Sequence, residues 1–143
     1  MPNENRGTIA HYRVEKSREC LKDAARDIEV EAYKAAANRS YYCIFHAMRA
    51  VLALDEFDSK KHSGIISAFR QRYIKTSIFP KEFSDIIGDA FDIRNDSDYE
   101  DFYVVSKDDV IAQVENARIF LASVENYINT LLPDEHEVAE TTK

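Results

Sequence analysis

Apolar residues recur along most of the chain with the three- and four-residue spacing of amphipathic helices. The most regular stretch lies near the C-terminus, where steps of four and three alternate for about three heptads. This stripe predicts the seam of a helical bundle, although a coiled coil with a second chain would use the same pattern. Ser106, with Asp109 three residues later, predicts an N-terminal cap. The predicted seam consists of Val110, Val114, Ala117, Leu121, Val124, Ile128 and Leu131.

Four more helices are predicted upstream. Their approximate ranges are 12–28, 32–54, 60–76 and 80–95. No glycine or proline separates the first two, so their break is placed near residues 27–31, where the apolar period slips. Asp58 or Ser59 is predicted to cap the third helix, and Pro80 suits the first turn of the fourth. The apolar stripe of the second helix consists of Tyr41, Ile44, Met48, Val51 and Leu52.

The chain has three glycines and three prolines, too few for the turns of a strand-rich fold. The predicted fold is therefore all-α, an up-and-down bundle of four long helices plus one shorter helix. A length of 143 residues suffices for one domain with its own core. We predict a helical bundle at residues 10–132, preceded by a flexible N-terminus at residues 1–9. Residues 133–143 are predicted to form a disordered acidic tail.

Charge and localisation signals narrow the function classes. The formal charge of −7 and the pI near 5.1 argue against a broadly basic nucleic-acid surface, although a local cationic cleft could still bind phosphate. No apolar run approaches the roughly 20 residues that span a bilayer, and the first residues lack a signal region. We therefore expect a cytoplasmic protein without a membrane segment. Cys20 and Cys43 are isolated and are predicted to be small buried thiols.

Arg94 closes an apolar stripe in the fourth predicted helix. Phe83, Ile87 and Ala90 recur at spacings of four and three, and Arg94 follows four residues later. Arg94 should therefore face the core, where a guanidinium keeps its charge and needs a carboxylate, a phosphate or carbonyl groups. The acidic run that follows supplies three candidate partners: Asp96, Asp98 and Asp101.

A second unusual face lies on the second predicted helix. Arg39, Tyr42, His46 and Arg49 fall within roughly 80° of one another at about 100° per residue. Two arginines, a tyrosine and a histidine on one narrow face could bind an anion. Alternatively, this face is a solvated stripe whose long side chains pair with acids on neighbouring helices.

The known catalytic and phosphate-binding motifs are absent from the sequence. There is no Walker A loop, no dinucleotide fingerprint, no HExxH and no GxSxG. The acidic run at residues 96–101 lacks the twelve-residue loop and the glycine of a calcium site. We therefore expect neither a metal nor a cofactor. His62 lies near the inner side of the third helix, where packing is the commoner role for a histidine.

Three sequence blocks together resemble the HEPN domains, particularly their poorly characterised bacterial and archaeal branch. The blocks are residues 38–47, residues 61–64 with Phe69, and residues 94–106, and the resemblance covers about residues 10–130. It implies a helical bundle that is commonly a homodimer. Many HEPN proteins are toxins or metal-independent ribonucleases, often encoded beside a small nucleotidyltransferase that neutralises them.

The catalytic signature of that family is an arginine followed after four to six residues by a histidine. By this resemblance Arg94 matches the arginine and Asn95 the polar residue beside it. Asp98 and Tyr99 follow, and residues 99–101 contain no histidine, so the chain departs from the nuclease pattern. The family also implies that Tyr99 or Tyr103 could accept a transferred nucleotide.

We therefore hypothesise a composite site, in which the second helix approaches Arg94 across the bundle. Its members would be Arg39, Tyr42, His46, His62 and Tyr99. Three functions remain open at this point. The chain is a toxin-like module that binds nucleotide or RNA and pairs with a nucleotidyltransferase, or a metal-independent endoribonuclease with an unusual site, or a non-catalytic scaffold in which Arg94 and Asp98 lock the fourth helix to the following loop.

Overall fold

The computed structural model describes residues 2–99 and 106–132, and side chains from residue 5 to 95 and from 106 to 132. Five helices make up these parts of the chain, which contain no strand. The all-α prediction, with four long helices and one shorter helix, is confirmed. The helices are α1 (Pro2–Glu29), α2 (Tyr33–Ala53), α3 (His62–Phe69), α4 (Glu82–Tyr99) and α5 (Lys107–Leu131), and a π-helical turn at Arg70–Ile74 continues α3.

Helix α2 is the centre of the bundle. It packs against α1, α3, α4 and α5, and 13 of its 21 residues are buried. The predicted stripe from Tyr41 to Leu52 is confirmed, because all five of its members are at most 1% exposed. Ala36, Ala47 and Ala50 are also buried, and their small side chains let neighbouring helices approach closely.

Helix α1 begins earlier than the sequence indicates. Residues 2–9 belong to the helix, whereas a flexible segment was predicted at residues 1–9. Tertiary contacts explain the difference: Arg6 Nη1 donates a 2.8 Å hydrogen bond to the Leu54 carbonyl, and Gly7 lies against the Leu132 side chain. The polar composition of this segment therefore gave no sign of its contacts with the C-terminal ends of α2 and α5. The predicted tail at residues 133–143 lies outside the described residues.

The predicted break between the first two helices is confirmed. Glu29 ends α1, and Glu31 adopts a left-handed conformation with φ of 59°. The amide of Glu31 donates to the Ile28 carbonyl and the amide of Ala32 to that of Asp27, so the last carbonyls of α1 are satisfied. A glutamate thus fills the position that glycine usually takes at a helix end.

The third helix departs from the prediction at both ends. Its N-cap is Lys61 and has no side-chain cap, so the predicted capping by Asp58 or Ser59 is wrong. The Asp58 carboxylate instead binds Arg49, and the Ser59 hydroxyl accepts from the Lys61 amide. The single helix predicted to residue 76 changes to a π-helical turn at Arg70. The fourth helix begins two residues after Pro80, at Glu82.

Helix α5 confirms most of the predicted seam. Val110, Ala117, Leu121, Val124 and Ile128 are buried, and the Ser106 hydroxyl accepts a hydrogen bond from the Asp109 amide. The seam is wider than two positions per heptad, because α5 contacts α1, α2 and α4 at once. It therefore also buries Gln113 and Phe120, whereas Val114 is half-buried and Leu131, predicted to belong to it, is 53% exposed.

Two further sequence predictions concern membrane-spanning helices and the two cysteines. None of the helices in the described parts of the chain has the length and apolarity of a membrane span. Cys20 and Cys43 are both free thiols and both buried, as predicted. The Ser17 hydroxyl donates a 2.6 Å hydrogen bond to the Cys43 carbonyl, which joins α1 to α2 in the core.

Phe120 offers a test of the core. Its ring stacks on Phe83 at 4.7 Å and lies 5.6 Å from Phe69, and it is fully buried. Phe120→Ala should therefore lower the free energy of unfolding by about 3–5 kcal/mol, measured by urea denaturation. The adjacent Ile119 is 41% exposed, so Ile119→Ala should cost less than about 1 kcal/mol. Equal losses in the two variants would contradict this packing.

Candidate anion-binding site

Arg94 lies where α4 crosses α2. Phe83, Ile87 and Ala90 are buried along the same stripe of α4, and Arg94 is half-buried one turn later, as its spacing predicts. Its Nη2 atom donates a 3.2 Å hydrogen bond to the Tyr42 hydroxyl. The guanidinium carbon lies 5.5 Å from the Tyr41 ring centroid and 5.6 Å from that of Tyr42. Both distances allow cation–π attraction, so the two tyrosines hold the guanidinium in place.

His62, the first residue of α3, is joined to the same tyrosines. The Tyr41 hydroxyl lies 2.7 Å from His62 Nδ1. On the other side, the imidazole stacks on Phe45 with the ring centroids 4.2 Å apart. When the imidazole proton is on Nδ1, the ring donates this bond to the Tyr41 oxygen, and Nε2 keeps its lone pair. The ring of His62 is therefore held by a hydrogen bond and by stacking.

Burial and neighbouring arginines keep both histidines near Arg94 neutral. Burial lowers the pKa of His46 to about 4, and Arg49, Lys16 and Arg13 add to the effect. Burial also lowers the pKa of His62, with smaller contributions from Arg94 and Arg49. At neutral pH the positive charge of the region is therefore carried by arginine and lysine, and each imidazole keeps a lone pair that can accept a proton.

Next to His46, Arg49 and Arg13 both bind the carboxylate of Asp58. Arg49 binds Asp58 with an Nη2–Oδ2 distance of 2.9 Å, and Arg13 of α1 binds the same oxygen at 3.3 Å. Arg13 also donates to the Arg49 carbonyl. The alternative of pairing with nearby acids thus applies to Arg49. Two guanidinium groups against one carboxylate leave this edge with excess positive charge.

The structure brings together most of the composite site predicted from the sequence. We name it the Arg94 cluster, because each member contacts another through a hydrogen bond, a ring contact or a cation–π contact. Tyr42 and His46 join it through rings 6.0 Å apart. The Arg94 cluster consists of Arg94, Tyr41, Tyr42, Phe45, His46 and His62.

Other predicted site residues lie elsewhere. Arg39 is exposed and lies beside α1, where its charge opposes the rise that burial causes in the pKa of the Cys20 thiol. None of the hydrogen bonds and ring contacts that join the Arg94 cluster in the described part of the chain involves Arg39. Asn95 is half-buried next to Arg94. Asp98 and Tyr99 belong to α4, but their side chains lie outside the described residues, as does Tyr103.

Sequence reasoning missed two members of the Arg94 cluster. Tyr41 was placed in the apolar stripe of the second helix, although a buried tyrosine hydroxyl needs a hydrogen-bond partner. That requirement was the signal that could have paired Tyr41 with a polar residue such as His62. Phe45 gave no comparable signal, because its role depends on where α3 begins.

Comparison with known proteins identifies the family. The model of the HEPN domain matches residues 10–127. The chain belongs to the HEPN domain family. A UPF0332 protein of Thermotoga maritima is 31% identical over 129 residues, which cover 90% of this chain and 97% of that protein. A UPF0332 protein of Archaeoglobus fulgidus is 32% identical over 117 residues, covering 82% and 93%. A Methanocaldococcus jannaschii protein provisionally named as a toxin is 29% identical over 115 residues, covering 80% and 78%.

The two histidines of the Arg94 cluster come from helices other than the one that carries Arg94. The family signature has a histidine four to six residues after its arginine, and residues 99–101 of this chain contain none. In the described parts of the chain, the histidines of the Arg94 cluster come from α2 and α3. Those same parts contain no group of three histidine, cysteine or acidic side chains placed to hold a metal ion. The Arg94 cluster itself contains one guanidinium, two phenols and two imidazoles.

The depressed histidine pKa values predict how stability depends on pH. An unfolded histidine titrates near 6.5, so between about pH 4 and 6.5 the unfolded chain binds more protons at position 46 than the folded chain. Stability should therefore be highest above pH 6.5 and fall as the pH drops towards 4. Urea denaturation at pH 5 and pH 7 measures this difference, which His46→Gln should reduce. A His46 titration near pH 6.5 by NMR would show that the ring is not desolvated.

Proposed function

We propose that this HEPN domain is a toxin-like module whose Arg94 cluster binds a phosphate group of a nucleotide or an RNA. The observation that carries the proposal is the position of Arg94, held by the Tyr42 hydroxyl and two tyrosine rings beside the neutral imidazole of His62. A guanidinium donates several hydrogen bonds in one plane, and this geometry matches the oxygens of a phosphate.

Local charge supports an anionic ligand. The chain as a whole carries a formal charge of −7, yet Arg13, Lys16 and Arg49 all act on His46 at the edge of the Arg94 cluster. An anion that approaches this edge meets positive charge, although the net charge of the chain is negative. We further propose that the protein is a cytoplasmic homodimer and that a nucleotidyltransferase acts as its partner. Membership of the HEPN family and the toxin name of the Methanocaldococcus jannaschii relative support a partner of this kind.

Phosphate binding can be tested through Arg94. Arg94→Ala should weaken binding of a fluorescently labelled single-stranded RNA by at least about tenfold, measured by anisotropy at fixed salt, because charge-assisted hydrogen bonds are lost. Arg94→Lys keeps the charge and should lose less. Arg118→Ala is the matched control, since Arg118 is exposed on α5 and pairs with Glu115.

The scaffold hypothesis predicts a different outcome from the same variants. If Arg94 only locks α4 in place, Arg94→Ala should lower the free energy of unfolding and leave RNA affinity unchanged in the molecules that remain folded. Unchanged affinity in a folded Arg94→Ala protein, shown by its circular dichroism, would therefore reject the proposed binding site.

A second function is favoured by one observation, the hydrogen bond between Tyr41 and His62. A fixed neutral imidazole near an arginine can accept a proton from a ribose 2′-hydroxyl as that oxygen attacks the adjacent phosphorus, while Arg94 stabilises the charge that develops on phosphate. The 5′-oxygen then leaves and takes a proton from water. This would be a metal-independent endoribonuclease in which a histidine of α3 replaces the histidine missing after Arg94.

Cleavage of a mixed RNA pool in the presence of EDTA tests this second function. His62→Asn should reduce the cleavage rate by about 100-fold or more, because general-base catalysis typically contributes that much. Tyr41→Phe should have a smaller effect, since it removes only the group that orients the ring. His11→Asn, at an exposed position on α1, is the control. Equal cleavage by the parent and by His62→Asn would rule out this role.

A further inference from the structure

A wide cleft in the described part of the chain lies beside the Arg94 cluster and shares no residue with it. It separates α3 and its π-helical turn from the first half of α4, and its volume is about 1510 Å³. Both helices pack against α2. Ile66, Ile87 and Phe91 contribute apolar surface, and Ser67 and Gln71 contribute polar groups. We name it the α3–α4 cleft.

One end of the α3–α4 cleft adjoins the Arg94 cluster. Ser63 lines the cleft and directly follows His62 in α3. Phe91 lines the opposite wall, and its ring meets the Tyr41 ring edge-on with the centroids 6.2 Å apart. Tyr41 in turn contacts both His62 and Arg94. Tyr41 and Phe91 therefore link the cleft to the Arg94 cluster.

Arg70 crosses the cleft farther along. Its Nη2 atom donates a 2.9 Å hydrogen bond to the Ser84 carbonyl on α4. A Cβ atom on Gly88 would lie 3.3 Å from Nη2, so the glycine leaves room for this guanidinium. The Arg70 Nε atom is buried and has no hydrogen-bond partner among the described residues. Arg70 lies eight positions after His62, which corresponds to about 12 Å along a helix.

The charges of the lining indicate what kind of group the cleft accepts. Three basic and three acidic side chains line it, so it has no net formal charge. A second phosphate would gain no net attraction there, because the carboxylates of Glu82, Asp85 and Asp92 offset the three basic groups. A flat, uncharged ring with hydrogen-bond acceptors suits the same surface, because it can pack on Phe91 and accept from Arg70.

We propose that the α3–α4 cleft binds the nucleobase of a nucleotide whose phosphate contacts the Arg94 cluster. This inference rests on the proposed function, since it places the remainder of a ligand whose phosphate is bound there. The base would lie between α3 with its π-helical turn and α4, where Phe91 and Arg70 would contact it.

Calorimetric titration with ribose 5-phosphate, AMP and adenosine tests the proposal on the full chain. AMP should bind roughly tenfold more tightly than ribose 5-phosphate, because stacking of a base on an aromatic side chain typically contributes this much. Ser67→Trp fills the cleft from an exposed position and should reduce AMP affinity to that of ribose 5-phosphate. Gln71→Trp is a second filling variant, and Ala122→Trp, exposed on α5, is the control.

The outcomes separate this inference from the proposed function. Equal affinities of the parent for AMP and ribose 5-phosphate would overturn the base site and leave phosphate binding intact. AMP affinity that survives both Ser67→Trp and Gln71→Trp would also overturn the base site. Binding of adenosine as tight as that of AMP, abolished by Ser67→Trp, would support the base site and reject the phosphate site. Absence of binding by all three probes would overturn both.

Discussion

Burial of α2 on several sides is the constraint on which the rest of the structure depends. More than half of its residues are buried, and every other helix of the described chain packs on it. Tyr42, His46 and Arg49 of α2 are therefore half-buried between neighbouring helices. Tyr42 and His46 lie between α1, α3 and α4. Helix α2 thus contributes residues both to the core and to the candidate site. The position of the site therefore depends on which helices pack around α2.

Positive charge at the candidate site comes from groups that do not titrate near neutral pH. Arginines supply it, while burial keeps His46 and His62 uncharged. The arginines can therefore attract an anion, while the uncharged imidazoles keep a nitrogen that can accept a proton. The uncharged state also depends on the surrounding aromatic rings, because the low dielectric environment that they create is what disfavours the charged imidazole.

Much of the fold could be predicted from the sequence, because helical period and burial are local properties. The stripe of α2, the cap at Ser106 and the inward position of Arg94 all follow from spacing. Contacts between helices do not follow from spacing, since period gives the face of each helix but not the neighbour that this face meets. The pairing of Tyr41 with His62 and the separation of Arg39 from the Arg94 cluster belong to this second class, as do the helical N-terminus and the π-helical turn.

The order in which contacts can form also follows from the connections described above. Only three residues join α1 to α2, so the two helices can pair as a hairpin with little loss of chain entropy. The hydrogen bond from Arg94 to Tyr42 instead joins positions 52 residues apart, and it cannot exist until α4 has docked on that hairpin. The Arg94 cluster is therefore complete only in the fully folded bundle, and a partly synthesised or partly folded chain would lack this site.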